Sequence, residues 1–143
     1  MLEHPYNRLG NLRLIIAAQV PEAKLKTQTP NIEQQPTGKE LILKTEGPRT
    51  VKESTSPRGI VFADDSFLTV FEKWSIGGDL LAYKYHYQSG DHYVRYELDE
   101  NKRENIPQHH MNISYVGNAH LPCGIPPVNF GEMLDMIVRE FMP

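Results

Sequence analysis

Between Gly59 and Asp99 the chain repeats one texture. Four short runs, GIVFAD, SFLTVFEKW, DLLAYKYHY and DHYVRYELD, are rich in β-branched and aromatic residues. Such residues favour the pleated, half-buried surface of a strand. Polar turn residues part the runs: Asp64–Asp65, Gly77–Gly78–Asp79 and Ser89–Gly90–Asp91. These supply the local hydrogen bonds and permissive dihedrals that a reversal needs. A parallel pair would require a crossover of about a dozen residues or more, and no gap here holds one. Consecutive hairpins, and so an antiparallel meander, are the topology the spacing allows.

Period two assigns faces to the strands. In the third run Leu81, Tyr83, Tyr85 and Tyr87 share one side, with Leu80, Ala82, Lys84 and His86 on the other. In the fourth, His92, Val94, Tyr96 and Leu98 alternate with Tyr93, Arg95 and Glu97. The side of Val94 and Leu98 is the core side, so Arg95 is expected on the opposite surface. The second run does not decide, since Phe67, Thr69 and Phe71 alternate with Leu68, Val70 and Glu72.

The C-terminal stretch NFGEMLDMIVREF reads as a helix. Asn129 is a good N-cap and Glu132 follows three residues later, a capping-box arrangement. Phe130, Met133, Leu134, Ile137, Val138 and Phe141 recur at helical spacing and make an apolar stripe. The sheet's core face would cover it. HMNISYV adds a further strand with His110, Asn112 and Ser114 on one side. The expected class is α+β: an antiparallel meander of about four to six strands with a C-terminal helix packed on one face.

Residues 1–58 read as an N-terminal extension and residues 59–143 as the core domain. LRLIIAAQV suits a strand or a short helix, and LILKT a short strand. TQTPNIEQQPTGKE has almost nothing to bury and reads as a mobile loop. A chain of 143 residues with 39% hydrophobic content suits one domain. Its formal charge of −3 excludes a uniformly basic protein, though not a local cationic patch. Cys123 is the only cysteine, so no intrachain disulfide forms. No apolar run is long enough for a membrane span, and no secretory signal opens the chain. A soluble cytoplasmic protein is expected. An uncovered strand edge could also pair two copies into a homodimer.

Function turns on QHHMNISYVGNAH, which brings His109, His110 and His120 close in sequence. A metal site is poorly served: adjacent histidines diverge on an extended chain, no HExxH helix is present, and one cysteine cannot build a thiolate site. No metal and no cofactor are therefore expected. Acid–base cleavage of RNA needs only imidazoles near neutral pKa and a cation for the phosphoryl oxygens. Arg95, Lys102 and Arg103 are available cations, and an exposed tyrosine could stack on a base. The plain alternative is structural: YKYHY is good strand sequence, and paired histidines often do no more than sit at a surface.

One resemblance narrows this choice. The string DLLAYKYHYQSGDHYVRYELD followed by PQHHMN resembles the TumE family of toxin-like proteins from prokaryotic toxin–antitoxin pairs. The matching positions are Tyr83, Tyr85, His86, Tyr87 and Gln88, then Arg95 and Tyr96, then His109 and His110, then Glu132, Leu134 and Ile137. The resemblance implies a growth-inhibiting toxin, neutralised by a cognate antitoxin protein and of ribonuclease type. It implies His109 and His110 as acid–base residues, with His86 orienting or assisting. Arg95 would stabilise the phosphate, and Tyr96 or Asn112 would position it, with Lys102 and Arg103 as further contacts. The competing class is a non-enzymatic module that binds another protein through the aromatic sheet face.

Overall fold

The computed structural model describes residues 8–26, 32–45, 57–98, 109–114, 121–124 and 129–142. For Thr37 and for residues 109–114 and 121–124 the description is of the backbone. Helix α1 spans Arg8–Gln19 and a single 3-10 turn covers Glu22–Lys24. Strands follow at β1 (Ile32–Thr37), β2 (Glu40–Thr45), β3 (Ile60–Val61), β4 (Phe67–Ser75), β5 (Leu80–Ser89), β6 (His92–Leu98), β7 (His109–Ser114) and β8 (Leu121–Gly124). Helix α2, Phe130–Phe141, closes the series.

The strands form one sheet in the order β1-β2-β4-β5-β6-β7-β8, with β3 also paired to β4. Every pairing is antiparallel. The expected meander and its covering helix are present. Gly90 closes the β5–β6 hairpin at φ 61, a left-handed conformation that glycine adopts without a Cβ clash. The sheet's two end strands each contain a proline, Pro36 in β1 and Pro122 in β8. A residue without an N–H is tolerated at an edge, where it also discourages further pairing.

Against the loop expectation residues 32–40 form strand and turn, and the expected LILKT strand is present within β2. They make the β1–β2 hairpin, turning at Gly38 with φ 60, and β2 pairs along β4. Leu41 and Leu43 supply the buried side chains, and Ile32 joins them. An edge hairpin needs few apolar residues, because only one of its faces is covered.

Both helices lie on the same face of the sheet. Leu12, Ile16 and Val20, spaced by four, are buried from α1 and its exit, which settles the LRLIIAAQV ambiguity as a helix. Phe130, Met133, Leu134 and Ile137 are buried from α2. Each such side chain contributes roughly 1.5–3 kcal/mol on burial. Asn129 caps α2 as its sequence implies: its Oδ1 accepts from the Glu132 N–H at 2.8 Å, while its Nδ2 donates to Glu132 Oε1 at 2.7 Å. Beneath the helices lie Tyr83, Tyr85 and Tyr87, all buried. Phe130 packs on Tyr85 and Phe141 on Tyr87. The aromatic face proposed for docking another protein is therefore the floor of the core, because the helical stripes need that surface to bury.

Candidate functional site

Strand parity separates two polar constellations. The first is inside the core. Glu72 of β4 is completely buried on the helix-covered face. Arg8 of α1 donates to it from Nε at 2.8 Å and from Nη2 at 2.9 Å. The Trp74 indole N–H and the Tyr85 hydroxyl also donate to it, at 3.0 and 2.5 Å. A buried carboxylate persists only when paired and hydrogen-bonded in this way. Burial first, then the neighbouring Glu72 charge and its hydrogen bond, push the Tyr85 phenol well above its ordinary pKa.

The second constellation lies on the opposite face, where β5 and β6 pair with His86 directly across from Arg95. Arg95 Nε donates to His86 Nδ1 at 3.0 Å. On the far side of the ring, His86 Nε2 meets Gln88 Oε1 at 2.8 Å, and Gln88 Nε2 donates to the Gly90 carbonyl at 3.0 Å. The direction of this chain fixes the tautomer. An arginine is always a donor, so Nδ1 must accept, and the ring proton sits on Nε2 facing the Gln88 oxygen. His86 is thus a neutral imidazole with both nitrogens engaged. Desolvation, reinforced by the charges of Arg95, Arg58 and Lys84, lowers its pKa to about 4 despite the opposing hydrogen bond to Gln88.

The relay ends on a partly exposed guanidinium. Arg95 lies over the Tyr93 ring at 5.4 Å, and Tyr93 packs on His86 with centroids 5.0 Å apart. Glu97 Oε1 sits 3.4 Å from Arg95 Nη1 and 3.6 Å from Lys84 Nζ. Two strands away, Arg58 lies over the Phe67 ring at 5.0 Å.

The histidine-bearing strand β7 pairs alongside β6. Its register sets Asn112 opposite Arg95, His110 opposite Glu97 and His109 opposite Leu98. Directly opposed residues of an antiparallel pair share a face. His110 and Asn112 therefore fall on the face of Arg95, whereas His109 falls on that of Leu98, a core residue. Tyr96 stands opposite Tyr85 and packs against the core, away from Arg95. Burial raises its phenol pKa. Lys102, Arg103 and His120 lie outside the described residues. Among the described residues no three His, Cys, Asp or Glu side chains gather as a metal-ion set.

Sequence reasoning placed His86 and Arg95 but missed the parts around them. Gln88, Tyr93 and Glu97 share the parity of His86 or Arg95, so counting the hairpin register would have found them. Arg58 precedes its strand and leaves no periodic signal.

The family model for Toxin TumE matches residues 38–140. The chain belongs to the TumE toxin family. The TumE match runs from the β1–β2 turn into the last turn of α2, and so takes in the His86–Arg95 relay and all of β7. Helix α1, with Arg8, lies outside it. No match was found among curated proteins or among solved structures. A TumE toxin implies a cognate antitoxin as partner. No helix among the described residues is long and apolar enough to cross a membrane.

Proposed function

We propose that this TumE-family toxin cleaves RNA by imidazole acid–base chemistry in the cytoplasm, and that its antitoxin blocks this activity. The observation that carries the reading is the Arg95–His86–Gln88 relay, with His110 and Asn112 in register on the same face. Arg95 is held in place before any ligand arrives, as preorganised stabilisation of a phosphoryl charge requires. In the proposed step a histidine of β7 takes the proton from a 2′-hydroxyl, whose oxygen attacks the adjacent phosphorus. The bond to the 5′-oxygen breaks, that oxygen takes a proton from water, a 2′,3′-cyclic phosphate remains, and the protonated histidine returns its proton to solvent. His110 is the histidine assigned to proton transfer, with Asn112 positioning the phosphate. His86 is a positioning residue, because neither ring nitrogen has a lone pair or proton to spare.

Growth and total RNA in cells expressing the chain test this. His110→Ala and Arg95→Ala should each lower cleavage by about 100-fold or more, the range for a lost general base or charge-stabilising donor. His109→Ala should cost far less. Purified protein that leaves RNA intact, or a His110→Ala chain as toxic as its parent, would sink the proposal.

A further inference from the structure

Beside the relay, the same face carries a second row at the next position along each strand. Lys84 of β5 stands opposite Glu97 of β6, and Glu97 stands opposite His110 of β7. Past β7 the row meets Gly124 of β8, which adds no charge. The row runs parallel to His86, Arg95 and Asn112. Of all the residues in β5, β6 and β7, Glu97 alone is acidic.

That acid has a defined setting. Its side chain is 15% exposed, so water screens its charge only in part. Lys84 Nζ and Arg95 Nη1 approach the same oxygen, Oε1, at 3.6 and 3.4 Å. A carboxylate offers about four acceptor positions over its two oxygens, so two cations do not exhaust it. Directly opposed residues of an antiparallel pair have Cβ atoms about 4.5–5.5 Å apart. A glutamate and a histidine at that separation are within reach of a carboxylate–imidazole hydrogen bond.

The charges around the row show what such a bond would do. Lys84 and Arg95 both oppose a positive charge on a neighbouring ring. His110 acquires that charge when it accepts a proton, and Glu97 is the compensating group next to it in register. From β8 the register adds Pro122 and Gly124, and both helices lie on the other face of the sheet.

We infer that Glu97 is a positioning residue for His110, its register partner across β6 and β7. It holds the ring by one N–H, leaves the other nitrogen to take the 2′-hydroxyl proton, and stabilises the imidazolium until that proton reaches solvent. Glu97 takes no proton itself. This deepens the ribonuclease reading and rests on it.

The test pairs a titration that needs no activity with one that does. Histidine Cε1–H resonances of the full chain are followed by NMR across pH, with the His110 signal identified by its loss in His110→Ala. The His110 midpoint should stand at or above the ordinary 6.5. Glu97→Gln leaves two cations without the anion, so the midpoint should fall by about one pH unit. RNA cleavage by Glu97→Gln should then lose about 10- to 100-fold in kcat without a rise in KM. Its acid limb should move to lower pH by the same amount, which a merely structural role would not cause. An unmoved midpoint in a chain that cleaves RNA overturns the pairing and leaves the ribonuclease reading standing. A moved midpoint in a chain that leaves RNA intact overturns the catalytic use of the pair together with that reading. If Glu97→Gln does not fold, the wild-type midpoint decides: a value below 6.5 overturns the pairing.

Discussion

Arg8 and Glu72, 64 residues apart, meet through two hydrogen bonds of 2.8 and 2.9 Å in the core. Removing the cation would leave a buried carboxylate with the Trp74 and Tyr85 donors but, among the described residues, no opposite charge in contact with it. Arg8→Met should therefore destabilise the protein by about 3–5 kcal/mol. Adding Glu72→Leu should recover part of that loss, because the pair then leaves together. Urea unfolding of the two single variants and the double variant gives the coupling. Purely additive effects would mean that the pair carries no net interaction.

Acid should weaken the fold through His86. Its folded pKa of about 4 lies below the ordinary 6.5, so between those values the unfolded chain binds a proton that the folded chain refuses. The contribution is fully present above about pH 6.5, falls as pH drops toward 4, and changes no further below that. At 1.36 kcal/mol per pH unit the whole span is worth roughly 3 kcal/mol. His86→Gln should flatten the slope of unfolding free energy against pH in this window. An identical slope in both proteins would show that His86 is already free to protonate in the folded chain.

Two glycines should differ in their tolerance of a methyl group. Gly90 has φ 61 but open space around it, so Gly90→Ala should cost about 1–2 kcal/mol of backbone strain. Gly59 adds steric conflict to the same kind of strain, with Leu68 O at 2.6 Å and Thr45 Oγ1 at 3.2 Å from a Cβ. Gly59→Ala should lower the urea midpoint more than Gly90→Ala. Equal midpoints would remove the argument that this segment is clamped to β4.

Where a side-chain pattern reflects one face meeting oil and the other meeting water, the sequence reveals the fold. The alternation of Tyr83, Tyr85 and Tyr87 with Lys84 and His86 assigned both faces of β5, and the capped stripe of α2 was equally plain. Strand β4 resisted because Glu72 occupies a core position, and nothing local announces that Arg8 will neutralise it. Strand β1 resisted for the opposite reason: an edge element with a proline and a run of polar residues resembles a chain with nothing to bury. The site was half visible. His86 and Arg95 face each other across a short hairpin, so their meeting follows from the turn. Arg58 reaches them only through a tertiary contact with Phe67.

The family match starts at residue 38, whereas the cation that makes Glu72 tolerable stands at residue 8. A chain trimmed to the recognisable stretch would split one hairpin at its bend and strand a negative charge in oil. What heredity has kept legible and what physics needs for folding are different lengths of the same polypeptide. A leading helix that looks like an optional preface is, for this protein, the counter-ion.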